Sequence, residues 1–368
     1  MVRQKLLREM AVRAGAIRCD RIRLTAVTPG EGGSRAGITL VLFTNLISEP
    51  ILAVESILRF NQHFLKSILP MKHLLSIESL SASEILEILA LAHKLKANRA
   101  NYPGKPLAGE CWGLLFSKSS TRTRVSFEVG IRELGGDALF LSASEIQLGR
   151  GEPIEDTARV LGRMIHGAVI RTFKQSDVET FAALSGIPTI NALTDEEHPC
   201  QILADLMTIE ELRDSLDGVE VAFIGDADCN MGRSWIWASA RLGFGLRLAC
   251  PELYCPPADL LERAKAPVTI TIDPVEAARN ADILYTDVWV SMGKEEEAEH
   301  RSAQFARYQI NDRVVEAAKP NAHVLHCLPA YRGKEITAEV FEQHAKAIFQ
   351  QAENRLHVQK AVMTLLKS

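Results

Sequence analysis

Short β-rich runs alternate with helix-length intervals from Cys111 onward, and this alternation limits the fold more than any other feature of the chain. The first series of runs covers Cys111–Phe116, 138–141, 168–172 and 188–191. A second series covers 219–224, 246–249, 268–272, 283–285 and 323–325. Strands separated by helices are typical of βαβ units, which build parallel sheets. We predict an α/β protein with two doubly wound domains, each with a central parallel sheet flanked by helices.

The length of the chain agrees with two such domains. Its 368 residues are about twice the size of an ordinary domain. We place the first domain at 71–213, completed by a C-terminal helix at about 350–368, and the second at 214–349. A helix over 199–212 is predicted to cross between them.

Residues 1–70 differ from the rest of the chain. They hold ten Lys and Arg against five Asp and Glu, a net charge of +5, whereas the whole chain carries −4. This extension is either an organelle-targeting segment or a non-native addition. Ser81 and Glu84 form a predicted capping box before an apolar helix, which makes Met71 a natural start. We therefore treat 1–70 as outside the functional core.

Charge and cysteine usage exclude several classes. A net charge of −4 gives no overall basic field for nucleic acid. Seven scattered cysteines without a C-x-x-C pair argue against a disulfide framework or a zinc site and favour a reducing compartment. Polar and charged residues interrupt the longest apolar stretch, 37–58, so we predict no membrane segment.

Ligands of open α/β sheets bind beyond the carboxyl ends of the strands, where polar clusters occur in this chain. The first cluster, 119–124, reads Ser-Ser-Thr-Arg-Thr-Arg and lies at a helix start, as a phosphate cradle would. An exposed polar cap is the alternative. Arg171 ends another strand, and His198 precedes Pro199 at a helix start, from which it can donate to a substrate oxygen. A satisfied turn is the alternative for the His-Pro pair.

Three further clusters follow strands of the second series. The segment 225–232 lies where a dinucleotide-binding turn would, but it lacks G-x-G-x-x-G, so Asn230 is left for a small polar ligand. The segment 287–293 begins with Asp287, and 326–330 contains Cys327. An Asp after a strand is often a helix cap, and a buried Cys is often inert packing, so these alternatives remain open.

Together these motifs resemble the aspartate/ornithine carbamoyltransferase family. S-T-R-T-R at 120–124 and H-P-x-Q at 198–201 are similar to the carbamoyl phosphate motifs of the whole family. D-x-x-x-S-M-G at 287–293 and H-C-L-P at 326–329 resemble the segments that distinguish its ornithine enzymes. The resemblance extends over 71–368.

The resemblance implies an activity: transfer of the carbamoyl group of carbamoyl phosphate to the δ-amine of L-ornithine, giving L-citrulline in arginine metabolism. It assigns carbamoyl phosphate to the first domain and ornithine to the second. The implied catalytic residues are Arg122, His198, Asp287 and Cys327. Those implied to bind carbamoyl phosphate are Ser120, Thr121, Arg122, Thr123, Gln147, Arg171, His198, Gln201, Cys327, Leu328 and Arg355. Those implied to bind ornithine are Asn230, Asp287, Ser291 and Met292.

The same resemblance implies a homotrimer with shared sites, because Gln147 matches a glutamine supplied by a neighbouring subunit. It implies no cofactor and no metal, and we expect no nucleic-acid or membrane partner. Direct transfer through a tetrahedral intermediate is implied, with Asp287 and Cys327 orienting the amine. We expect a cytoplasmic enzyme, or a mitochondrial-matrix one if 1–70 is a targeting segment.

The sequence departs from the family pattern at two positions and leaves rival functions open. Ser117 replaces a common acidic residue, and Cys229 replaces an Asn that many relatives carry. The rivals are a carbamoyltransferase for another amine, such as putrescine, a modified ornithine or aspartate, and a catalytically silent trimeric relative. A dinucleotide oxidoreductase is a weaker rival.

Overall fold

The computed structural model describes residues 71–100, 102–142, 151–290 and 295–367. The first helix, α1 (Ala82–Ala97), begins as predicted at a capping box: Glu84 N donates to Ser81 Oγ over 3.2 Å, and Ser81 N donates back to Glu84 Oε2 over 2.8 Å. A short stretch before α1 pairs with the first sheet, because Leu74 N donates to Thr189 O and Asn191 N donates to Leu74 O.

The first sheet has four parallel strands in the order β2-β1-β3-β4. In chain order its elements are β1 (Cys111–Phe116), α2 (Thr121–Glu133), β2 (Asp137–Ser142), α3 (Ile154–Leu161), β3 (Gly167–Arg171), α4 (Gln175–Ser185) and β4 (Thr189–Leu193). The central strands β1 and β3 are almost entirely buried and apolar, as expected of a sheet covered by helices on both faces.

The second sheet has five parallel strands in the order β7-β6-β5-β8-β9. Its elements are β5 (Glu220–Ile224), α6 (Asn230–Leu242), β6 (Gly245–Ala249), α7 (Ala258–Ala264), β7 (Val268–Thr271), α8 (Pro274–Ala278), β8 (Ile283–Thr286), α9 (Ala298–Phe305), α10 (Asp312–Ala317) and β9 (His323–His326). Short 3-10 turns lie at Glu252–Tyr254, Glu295–Glu297 and Ala306–Tyr308. The predicted fold class of two parallel, helix-flanked sheets is confirmed.

Two long helices connect the sheets. The predicted crossing helix is α5 (Pro199–Arg213), which lies between β4 and β5 in the chain. The C-terminal segment predicted at about 350–368 is the second half of a longer helix, α11 (Ala338–Leu365). Because α11 packs against α1, α2 and α5 as well as β9, it carries side chains to both sheets.

Each predicted strand is present, with ends that differ from the prediction by at most two residues. The largest shift is at 188–191, where the strand is Thr189–Leu193. Val169, Ile190, Phe223 and Leu325 belong to one continuous apolar core that runs between strands and helices. None of the described helices has the length and apolar character needed to cross a membrane.

Candidate functional site

The predicted polar clusters lie where the strand order of each sheet reverses. In the first sheet the chain moves from β1 outward to β2 and then returns to β3 on the other side of β1. In the second sheet it moves outward through β6 and β7 and returns to β8 on the other side of β5. Such reversals leave a crevice at the carboxyl ends of the strands, which is where ligands of open α/β sheets bind.

The start of α2 supplies hydroxyl and backbone groups. Ser120 caps the helix, since Thr123 N donates to its Oγ over 3.3 Å, and its own hydroxyl donates to Thr123 Oγ1 over 3.0 Å. Thr121 is exposed at the first helical position, and Arg122 is half-buried beside it. Backbone N–H groups and hydroxyls at a helix start suit a phosphate. Arg124 instead faces outward, where it pairs with Glu128 at 2.8 Å.

Three arginines from distant parts of the chain form an unpaired cationic cluster. Arg171 ends β3, Arg355 lies on α11, and both side chains are buried. Burial and the charges of Arg355 and Arg122 lower the pKa of Arg171 to about 9. Among the described residues, none of the three has a carboxylate partner within salt-bridge distance, and the Nε of each is buried without a hydrogen-bond partner.

Such an arrangement is costly in the free protein, because buried like charges repel and buried donors lose their water. An anion removes both costs at once, and Arg is well suited to a multidentate phosphate contact. One arginine contact is already made: Arg355 Nη2 donates to Thr123 Oγ1 over 2.7 Å, which joins α11 to the start of α2. The cluster is therefore a candidate site for a phosphate or a similar anion.

His198 and Gln201 lie at the start of α5, next to this cluster. The pKa of His198 is held well below its usual value by burial and by the charges of Arg355, Arg171 and Arg122, so its imidazole is neutral. Its Nδ1 is buried without a partner, as is Gln201 Oε1, among the described residues. A neutral imidazole and an amide oxygen can bind the uncharged part of a ligand whose phosphate occupies the arginine cluster.

Across the crevice, Asp287 and Cys327 form a hydrogen-bonded pair. Asp287 follows β8, Cys327 follows β9, and the thiol donates to Asp287 Oδ1 over 2.8 Å. Burial, together with the charge of Asp287, raises the pKa of Cys327 well above its usual range. Burial also raises the pKa of Asp287. The thiol is thus protonated, which argues against a covalent nucleophile.

The pair lies close enough to the arginines for their charges to interact. Cys327 is close enough to Arg171 and Arg355 to interact electrostatically with both guanidinium groups. The structure therefore brings the two predicted half-sites together, with the anion-binding groups on one side and a carboxylate-thiol pair on the other.

The loop that carries Cys327 is held by buried groups. Leu328 N donates to His326 Nδ1 over 2.8 Å, and His326 Nε2 lies 3.2 Å from Glu335 Oε1. Leu328 has a φ of 59° and is followed by a cis peptide bond to Pro329. These contacts place Leu328 immediately beside the Asp287–Cys327 pair.

Asn230 begins α6 after a tight turn. A Cβ at Gly232 would lie 2.3 Å from Ala227 O, so the turn closes only with glycine there. Cys229, the departure from the family pattern, caps the helix: Gly232 N donates to its Sγ over 3.4 Å. Asn230 Nδ2 donates to Thr194 O over 2.8 Å, so a ligand would use the amide oxygen or displace this bond.

Sequence reasoning missed Asp205, Gln351 and Tyr285, which lie behind the site. Gln201 and Gln351 both donate to Asp205 Oδ1, and Gln351 Nε2 also lies 3.4 Å from Tyr285 OH. The four-residue spacing from Gln201 to Asp205 was the available signal, since it places both side chains on one helix face. Three predicted site residues, Gln147, Ser291 and Met292, lie outside the described residues. No group of three or more His, Cys, Asp or Glu within the described residues is arranged to hold a metal ion.

Comparison with known proteins adds an independent line of evidence. Residues 72–211 match the model for the carbamoyl-P binding domain of aspartate/ornithine carbamoyltransferases, and 217–366 match the model for their Asp/Orn binding domain. The ornithine carbamoyltransferase of Akkermansia muciniphila is 58% identical over 299 residues, which is 80% of this chain and 98% of that protein.

Solved structures give the same result. The anabolic ornithine carbamoyltransferase of Campylobacter jejuni is 42% identical with a TM-score of 0.77, covering 80% of this chain and 99% of that one. The ornithine carbamoyltransferase of Pyrococcus furiosus is 42% identical with a TM-score of 0.75, covering 80% of this chain and 96% of that one. Matched along both sheets and at this level of identity, the chain belongs to the aspartate/ornithine carbamoyltransferase family.

Proposed function

We propose that the protein transfers the carbamoyl group of carbamoyl phosphate to the δ-amine of L-ornithine, producing L-citrulline and phosphate in arginine metabolism. One observation carries the proposal: an unpaired cluster of Arg122, Arg171 and Arg355 faces the Asp287–Cys327 pair. The cluster suits the phosphate of one substrate, and the pair suits the amine of the other. The relatives named as ornithine carbamoyltransferases support the choice of amine.

The proposed mechanism is direct transfer. Arg122, Arg171 and Arg355, with Ser120, Thr121 and Thr123, neutralise the phosphate and the charge that it gains as the leaving group. Neutral His198 donates to the carbamoyl oxygen, and Gln201 and the backbone of Leu328 hold the carbamoyl nitrogen. Asp287 and Cys327 orient the δ-amine, whose usual pKa near 10 means that it must lose a proton before it attacks.

The remaining substrate contacts are part of the same proposal. Asn230, Ser291 and Met292 hold the α-amino and α-carboxylate groups of ornithine. Closure of the two halves over both substrates excludes water, which would otherwise compete for the carbamoyl group.

A citrulline assay with carbamoyl phosphate tests the activity. We expect product with L-ornithine and little or none with putrescine, N-acetylornithine or aspartate. Product mainly with another amine would reassign the substrate, and no product with any amine would indicate a silent relative. In the same assay Arg122→Ala should lose activity, because Arg122 belongs to the cluster proposed to bind the phosphate. Arg124→Ala is its matched control and should keep activity, because Arg124 belongs to the same helix turn but faces outward toward Glu128.

We further propose that the enzyme is a cytoplasmic homotrimer in which Gln147 of one subunit completes the site of the next. Strand β2, which leads into the segment that holds Gln147, lies at the edge of its sheet and leaves Leu139 44% exposed, and Val125 on neighbouring α2 is 52% exposed. Light scattering tests the assembly: Leu139→Asp should lower the mass to that of a monomer and remove activity. Retention of the trimer would place the interface elsewhere.

The six cysteines within the described residues are free thiols, which supports a reducing compartment such as the cytoplasm. Fractionation of cells that express the native chain tests the location, and recovery with mitochondria would favour the matrix instead.

A further inference from the structure

Asp205 is fully buried on α5, and the reaction proposed above gives it no role. Its Oδ1 accepts hydrogen bonds from Gln201 Nε2 over 2.8 Å and from Gln351 Nε2 over 2.7 Å. Burial of an acidic side chain destabilises a protein, so a buried acid beside a ligand site needs a physical explanation.

The contact with Asp205 determines which way the Gln201 amide faces. A glutamine side chain carries a donor NH₂ at one end and an acceptor oxygen at the other, and an ionised carboxylate can only accept. Gln201 must therefore turn its nitrogen toward Asp205 and its oxygen away. That oxygen is buried and has no hydrogen-bond partner among the described residues.

An unpartnered buried acceptor destabilises the protein, unless a ligand supplies the missing donor. The position of Gln201 shows which ligand that is. His198, Gln201 and Asp205 follow one another at spacings of three and four along the start of α5, so they share one face. Arg355 of the anion-binding cluster acts electrostatically on both His198 and Asp205. This face is therefore the one that meets the ligand.

We propose that Asp205 is a positioning residue: it holds the Gln201 amide with its oxygen toward the ligand, so that the site selects an acyl phosphate bearing an N–H donor over one bearing a methyl group. The inference rests on the proposed function, because it takes carbamoyl phosphate as the ligand. The carbamoyl NH₂ supplies the donor that Gln201 Oε1 lacks. An acetyl group of nearly the same shape leaves that oxygen unpaired, which is how hydrogen-bonding sites reject analogues.

The titration of Asp205 supports this role and gives it a pH dependence. Burial raises its pKa to about 7, against the opposing effects of the hydrogen bonds from Gln201, Gln351 and Tyr285 and of the charge of Arg355. Once protonated, the carboxyl group becomes a donor and can bind the oxygen of Gln201 instead of its nitrogen. The amide then loses its single orientation.

Two phosphonates of matched shape test the proposal by calorimetry. Phosphonoacetamide keeps the amide NH₂, and acetonylphosphonate carries a methyl group in its place. At pH 8 we expect the wild-type protein to bind the amide more tightly by on the order of 10-fold. In Asp205→Asn the side chain can donate as well as accept, so Gln201 can flip and the preference should fall to about 3-fold or less.

Thr208→Val is the matched control. Thr208 lies one turn further along α5, and it accepts from Asn354 Nδ2 of α11 over 2.9 Å without touching Gln201. Its loss should lower stability but keep the amide preference. A structural role for Asp205 alone would weaken both phosphonates equally and leave their ratio unchanged in Asp205→Asn, which would overturn the proposal.

A second measurement tests the proposal without a variant, in case Asp205→Asn does not fold. In the wild-type protein the ratio of the two dissociation constants should decrease as pH falls from 8 to 6, because Asp205 takes up its proton in that range. Ionisation of the phosphonate group affects both ligands equally, so its effect cancels in the ratio of the two dissociation constants. A constant ratio, or equal binding of both ligands at pH 8, would refute the inference while citrulline formation still stands. Absence of citrulline formation would instead refute the proposed function.

Discussion

Cys327 illustrates how burial decides the chemistry of a single side chain. With its pKa raised by burial and by Asp287, the thiol donates to Asp287 and is not a nucleophile. We predict that Cys327→Ser lowers kcat by about 10²-fold, the scale of a lost proton-transfer or orienting group. The C–O bond of serine is shorter than the C–S bond of cysteine, so the serine hydroxyl would contact neither Asp287 nor the amine as closely as the sulfur does. Binding of a carbamoyl phosphate analogue, measured by calorimetry, should change far less.

The control for this prediction is Cys111→Ser, since Cys111 begins β1 at the end of the sheet away from the site. Its kcat should stay near the wild-type value. A carbamoyl thioester on Cys327, detected by mass spectrometry, or unchanged turnover in Cys327→Ser would contradict the orienting role.

The three unpaired arginines lead to a prediction about stability. Arg355→Met removes a buried charge that is close to Arg122 and Arg171 and has no carboxylate partner among the described residues. We expect the free energy of unfolding of the ligand-free protein to rise by about 1 kcal/mol or more. Stabilisation by a carbamoyl phosphate analogue should be lost in the same variant. Thermal denaturation with and without the analogue measures both effects.

Arg213→Met is the opposite control, because Arg213 pairs with the buried carboxylate of Asp282. Removing it takes a partner from a buried charge and should destabilise the protein. A loss of stability in Arg355→Met as well would mean that its bond to Thr123 outweighs the repulsion among the arginines.

At the scale of elements, the start of α5 depends on a buried acid. Glu197 precedes His198 and accepts from Ile77 N over 2.7 Å, which ties the segment before α1 to the site. Burial raises the pKa of Glu197 to about 8 from 4.5. The folded state therefore keeps a proton that the unfolded state releases, so stability decreases as pH rises between these values.

Replacing Glu197 with Gln removes this titration and keeps an acceptor for Ile77 N. We predict that Glu197→Gln gains stability relative to the wild-type protein as pH increases from 5 to 8, by up to a few kcal/mol at about 1.4 kcal/mol per pKa unit. Urea unfolding across this range measures it. Glu196→Gln removes the same charge from an exposed neighbour and should show no such trend. A parallel trend in both variants would contradict the prediction.

At the scale of elements, the sequence predicted which helices and strands exist better than it predicted the residues at which they begin and end. The capping box at Ser81 and Glu84 was predicted and is confirmed, because a cap depends on residues three positions apart. The first half of α11 was not predicted. Its position depends on packing against four other elements, and the apolar pattern of 338–349 alone did not indicate it.

For the whole molecule, we predict that residues 1–70 are dispensable. Every motif assigned above follows Met71, and the family match begins at residue 72. Deletion of 1–70 should leave a folded protein with near-normal kcat and KM for citrulline formation. Circular dichroism and the citrulline assay on both forms measure this. Loss of activity in a truncated protein that still folds would show that the extension contributes to the site.

Because the arginine cluster lies close to the Asp287–Cys327 pair, we predict that the two substrates bind in a fixed order. Ornithine carries a δ-ammonium group, and the arginine cluster beside Cys327 disfavours a cation until an anion neutralises it. Carbamoyl phosphate should therefore bind first. Calorimetry should show ornithine or its analogue norvaline binding more tightly once a carbamoyl phosphate analogue is present, and Arg122→Ala should lose this effect.

Equal affinity of ornithine for the free and analogue-bound protein would refute the coupling. Norvaline, which lacks the δ-amine, separates the two causes: a smaller gain for norvaline than for ornithine would indicate charge neutralisation, and an equal gain would indicate closure of the two halves.

The sequence by itself determined the local structure and predicted most of the candidate site residues. Parallel strands all end at one edge of a sheet, so polar clusters after strands mark a site before any coordinates are known. That logic located Arg122, Arg171, His198, Asp287 and Cys327. This logic works because the residues that determine whether a segment is a strand, and where that strand ends, lie close together in the chain.

Only the tertiary structure decided the surroundings of those residues. Arg355 lies near Arg171 because α11 packs against α2 and α5. Asp205 of α5 accepts a hydrogen bond from Gln351 of α11, a residue 146 positions away in the chain. The low pKa of Arg171, the protonated thiol of Cys327 and the direction of the Gln201 amide all arise from burial and from charges distant in sequence. Electrostatic effects depend on separation in space, which no local pattern of residues encodes.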